Sequence, residues 1–153
     1  MYNFLLALHL LAAIVWIGGM VFCYFFLAPA SETLGDSQRL TLWRNVFKRF
    51  FSWVWVSVVM LLGTGFVMIA LLGGFTNLGV HIYTMMTLGI LMMAIFKFVY
   101  VAPYKHLCRG VDEQKWEVAA FALGTIRKLV AINLILAALV VLSVTIIKDF
   151  TWI

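Results

Sequence analysis

Two histidines, His9 and His81, each stand inside a long apolar run of this chain. An imidazole ring in hydrocarbon is costly unless it is paired, and ionisable residues at such positions mark function by default. Ala12, Ala13 and Trp16 follow His9 at helical spacing and share its face. Met85 and Met92 follow His81 in the same way, and Met20 lies three turns beyond His9. Two chemistries fit these residue types. In the first, His9 and His81 are the axial ligands of a b-type haem, with Ala12, Ala13 and Trp16 beside the ring and Met85 as the fallback ligand. That arrangement implies electron transfer or another oxidoreductase role, with a quinone or a redox partner. In the second, imidazole and thioether together hold copper, with His9, Met20, His81, Met85 and Met92 as the donors. A third reading is a structural or assembly subunit without a cofactor.

These residues must be positioned by membrane helices. The chain has 153 residues, 65% of them hydrophobic and 11% charged, and its mean hydropathy is +1.09. A soluble domain carries about 25% charged residues. Four apolar stretches, 2–28, 50–72, 80–101 and 126–147, reach the roughly 20 residues that a membrane helix needs. The expected fold is all-α: a single four-helix transmembrane domain over 1–153. Pro29 and Pro103 are expected to end the first and third helices, and Gly73-Gly74 the second. Ser37 and Asp112 are candidate N-caps from which helices two and four begin before the membrane. Trp43 and Trp116 are then expected near the interface.

The net charge of +5 does not indicate nucleic-acid binding. The basic residues gather in two loops, Arg39, Arg44, Lys48 and Arg49 in one and Lys105, Arg109, Lys115, Arg127 and Lys128 in the other, whereas GGFTNLGV between helices two and three is uncharged. The positive-inside rule puts both basic loops in the cytoplasm and both termini outside. Cys23 and Cys108 then lie near the reducing side, where free thiols are expected. The basic, aromatic stretch RLTLWRNVFKRFF suits an anionic lipid surface or a solvated helical extension.

His9, Pro29 and Trp43 are echoed by His81, Pro103 and Trp116 at nearly one offset. This weak pseudo-repeat describes two helical hairpins of like orientation. Counted from the helix centres, His9 stands ~9 Å and His81 ~13 Å above the midplane on the outer side, which is the basis for placing both on one iron or copper. Gly18, Gly19, Gly63 and Gly65 supply room for a cofactor or close helix packing. Lys97 is expected to snorkel, Asn133 to bond across helices, and Arg127 and Lys128 to meet lipid phosphate or an anionic ligand. The small residues left on the surface admit a homodimer. No P-loop, zinc signature, catalytic triad or Rossmann fingerprint occurs, and no acidic residue lies within a span.

The segments LHLLAAIVWIGGMVF, WRNVFKRFF, GVHIYTMMTLGILMM and IRKLVAINLIL resemble the copper-resistance D (CopD-like) family of bacterial inner-membrane proteins over nearly the whole chain. That resemblance implies a multi-pass inner-membrane protein tied to copper handling. The first helix is also similar to that of the HemJ-type protoporphyrinogen oxidases, which are four-helix haem-binding membrane proteins. His9 matches their first-helix histidine, and Arg127 and Asn133 look like the polar residues opening their last helix. Leu134 stands where that family has a glutamate, and the methionine-rich third helix departs from its pattern. The likeness therefore implies haem binding rather than porphyrinogen oxidation.

Overall fold

The computed structural model describes residues 1–150, apart from the side chains of Asn77 and residues 146–150. Every regular element among the described residues is helical. The first span runs from Tyr2 to Ser31 as α1 (Tyr2–Val21), a π-helical segment (Phe22–Leu27) and α2 (Ala28–Ser31). The second is α3 (Asp36–Leu71). The third joins α4 (Val80–Val101) to α5 (Pro103–Asp112), and α6 (Trp116–Phe150) completes the four. Most large apolar side chains, among them Phe22, Phe26, Phe66 and Phe121, face outward, as a lipid solvent permits.

The helix ends follow local chemistry and correct several expectations. Pro29 does not end the first helix, which continues to Ser31. The wide turn over Phe22–Leu27 sends the Ala28 N–H to the Cys23 carbonyl and so absorbs the hydrogen bond that proline cannot make. At Pro103 the helix breaks at Ala102 and restarts with proline in its first turn, where the missing N–H does no harm. Ser37 is not a cap: α3 starts at Asp36 behind Gly35. Asp112 is not a cap either. It closes α5 and pairs with Arg44 at 2.8 Å. Gly73-Gly74 does end α3. The Gly73 N–H bonds the Ala70 carbonyl and the Gly74 N–H the Ile69 carbonyl, a Schellman stop that needs the positive φ of Gly73, 91°.

Two hairpins form the bundle, α1 lying along α3 and α4 along α6, while α5 packs on α6 and reaches α3. The inner half is filled by aromatic rings. Phe51 stacks on Phe47 at 5.0 Å and meets Tyr104 at 5.0 Å and Phe96 at 5.5 Å. One face of the start of α3 belongs to this core: Leu40, Trp43 and Phe47 are buried, while Lys48 and Arg49 on the other face stay exposed. The Trp43 indole N–H donates to Ser31 Oγ at 3.0 Å, and Ser31 in turn donates to the Ala28 carbonyl. Ser31→Ala strands that buried N–H. It is expected to cost about 1–3 kcal/mol, read as a lower unfolding midpoint in detergent, whereas Trp43→Phe beside it should not add to the loss.

Candidate functional site

Thr64 sits between Gly63 and Gly65 in the membrane part of α3. Its hydroxyl donates back to the Met60 carbonyl at 2.6 Å, a common use of threonine in membrane helices. The same oxygen lies 2.8 Å from His9 Nδ1. A hydroxyl has one proton, and Thr64 has directed it to Met60, so at His9 the threonine oxygen accepts and Nδ1 carries the hydrogen. The lone pair of His9 then resides on Nε2. Metal-binding histidines are held in this way, with one ring nitrogen donating to a neighbour and the other free to ligate. The ring rests close to the backbone of α3, where a Cβ on Gly65 would stand 3.6 Å from Cε1. Sequence reasoning named both flanking glycines and missed Thr64. The signal was a lone hydroxyl in an apolar run, able to meet His9 because α1 and α3 pair.

His81 lies in the first turn of α4, just past Gly79. Its ring folds back over that glycine, where a Cβ would fall 2.6 Å from Cε1 and 2.8 Å from Nδ1. The Nδ1 atom is closed off from solvent and has no hydrogen-bond partner among the described residues. Gly79→Ala is expected to push the ring aside, seen as a shifted imidazole resonance of His81 with the fold unchanged.

One aromatic contact relates depth on α1 to depth on α4. Trp16 of α1 and Phe96 of α4 meet edge to face at 6.0 Å, and depth on these like-oriented helices is counted from that contact. His9 stands about two turns outward of Trp16 and His81 about four turns outward of Phe96, an offset of ~12 Å. The near-equal depths expected from the sequence assumed that helix centres coincide, and the aromatic contact sets another register. One iron gripped by both imidazoles, the haem b expectation, therefore gains no support from this register.

The same register arranges the sulfurs. Met85 falls ~6 Å outward of His9, Met92 ~4–5 Å inward of it, and Met20 ~6 Å inward of Trp16. Met20 and Met92 are buried, as is Met68, one turn outward of Thr64 on α3; Met85 is half-buried. Asn133 does bond across helices, its Nδ2 donating to the Met92 carbonyl at 3.3 Å. Of the small residues near His9, Ala12 is buried and Ala13 half-buried. Gly19 serves close packing, because a Cβ there would enter the Phe50 ring, while Gly18 and Gly63 face open space. Among the described residues no three His, Cys, Asp or Glu side chains converge as a metal cluster.

No curated protein and no solved structure matches the chain. Residues 44–147 match the family of copper resistance protein D, a stretch that takes in α3 from Arg44 onward, α4, α5 and nearly all of α6. With four helices among the described residues long and apolar enough to cross a membrane, this chain belongs to the copper resistance protein D family and is a multi-pass inner-membrane protein related to copper resistance.

Proposed function

We propose that the chain carries copper as Cu(I) into and across the membrane from the outer face. The membership in a copper resistance family carries this reading. The donor types and their spacing add to it. From outside inward, His81, Met85, His9 and Met92 descend in steps of about 4–6 Å on the register of α1 and α4. Imidazole and thioether suit Cu(I), and a staggered ladder suits a passing ion better than one fixed centre. His81, in the first turn of α4, would receive the ion first, and His9 would take it through Nε2 while Thr64 holds the ring. Met20 continues the series inward.

Uptake of Cu(I) into vesicles containing the purified chain tests the reading, with empty vesicles as the reference. Uptake that requires His9 and the methionines is expected. A preparation that moves no copper and binds none overturns it. The visible spectrum of the same sample addresses the haem b alternative: a Soret band lost in His9→Ala would restore that reading.

A further inference from the structure

At the basic end of the bundle, far from the ladder, a cavity of about 100 Å³ lies between the end of the first span and the faces of α3 and α6. Glu32, Arg39, Trp43, Gly124 and Arg127 bound it. The indole of Trp43, tied to Ser31, makes one wall rigid. Arg39 gives one terminal nitrogen to Asp36 at 2.9 Å. Its Nε is shut off from solvent and has no partner among the described residues. Arg127 reaches Glu32 at 3.5 Å, well beyond the roughly 2.7–2.9 Å of a good charge-assisted bond. Two guanidinium groups from different helices thus border one small cavity with donors unused. Both belong to the basic segments that the positive-inside rule assigns to the cytoplasmic side.

The geometry points to an oxyanion site in which Arg39 and Arg127 hold one phosphate group, whether from a phospholipid headgroup or from free phosphate. The planar forks of arginine match phosphate oxygens. Glu32 is the internal competitor: its carboxylate occupies Arg127 weakly and moves aside when the phosphate binds. Asp36 anchors Arg39 from the far side and leaves Nε free to turn inward. This site is separate from copper passage, and its success or failure does not depend on that reading.

The test uses the full chain in detergent, with binding read as the rise in unfolding midpoint. The probes are inorganic phosphate, phosphatidylglycerol, and diacylglycerol as the control that keeps the acyl chains and lacks phosphate. Phosphatidylglycerol or inorganic phosphate is expected to stabilise the protein and diacylglycerol not, and the stronger of the two phosphates names the source. Arg39→Gln and Arg127→Gln should each weaken binding by about tenfold or more. Glu32→Gln should tighten it, an outcome that a merely destabilised fold would not give. Lys48→Gln with Arg49→Gln, on the exposed part of α3, should leave it unchanged. No response to either phosphate probe overturns the proposal. So does binding that survives the Arg39/Arg127 double change, or binding that weakens in Glu32→Gln.

Discussion

His9→Ala is expected to abolish Cu(I) passage through the chain, and Thr64→Val to weaken Cu(I) binding about 10–100-fold, the usual effect of losing the group that orients a ligating histidine. The expectation follows from one proton. Thr64 gives its hydrogen to Met60, so its oxygen fixes the Nδ1–H form of His9 and leaves Nε2 to the ion. Valine keeps the shape of threonine and removes the acceptor. The ring is then free to rotate, and the tautomer with Nε2 protonated, which cannot ligate through that atom, becomes populated. Thr64→Ser restores the oxygen and should restore affinity. Competition with a chromogenic Cu(I) chelator measures the affinities, and helicity and unfolding midpoint follow the fold. If Thr64→Val lowers the midpoint while Cu(I) affinity stays at the wild-type value, the hydrogen bond is structural and His9 is not held for a metal.

The number of spans, their approximate limits and the pairing into hairpins were legible from the sequence, because long apolar runs and basic loops report directly on a lipid solvent. The Gly73-Gly74 stop was legible for the same kind of reason: two adjacent glycines supply the positive φ that a helix end needs. Pro29 misled, because a π-turn over Phe22–Leu27 spreads the missing hydrogen bond over a segment with no composition signal of its own. The burial of Trp43 was not legible, because its partner Ser31 lies across a turn and is visible only in three dimensions. The candidate histidines were identified by type and placed by depth. Depth counted from helix centres could not see the contact of Trp16 with Phe96, which gives a different count of depth on the two helices. Thr64 escaped because its significance lies in the direction of a hydrogen bond.

Gly110→Ala is expected to destabilise the protein by about 2–3 kcal/mol, the upper part of the range for forcing one extra methyl into a filled space. A Cβ at Gly110 would stand 2.8 Å from the Ala119 nitrogen and 2.9 Å from its Cβ. The obstacle is backbone and a methyl on a helix, not the end of a flexible side chain. Moving aside is difficult, because the connection between α5 and α6 is short and tied. The Lys115 N–H bonds the Gly110 carbonyl at 2.8 Å, and Gln114 turns the chain at a φ of 55°. Leu107, Ala119 and Ile126 flank the crossing with no exposed surface, so any parting of the helices opens voids in the inner core. Gln114→Gly, at the same turn, should do the reverse and stabilise by up to about 1 kcal/mol, since glycine adopts a positive φ without strain. Unfolding in detergent with increasing denaturant compares the three proteins. Because Gly110 lies at the end of the bundle away from His9, the folded fraction of Gly110→Ala should bind Cu(I) with unchanged affinity, whereas the folded fraction of His9→Ala should not bind it. If Gly110→Ala instead alters copper affinity in the folded protein, the aromatic inner half and the donor ladder are one mechanical unit, and the separation of scaffold from passage assumed here fails.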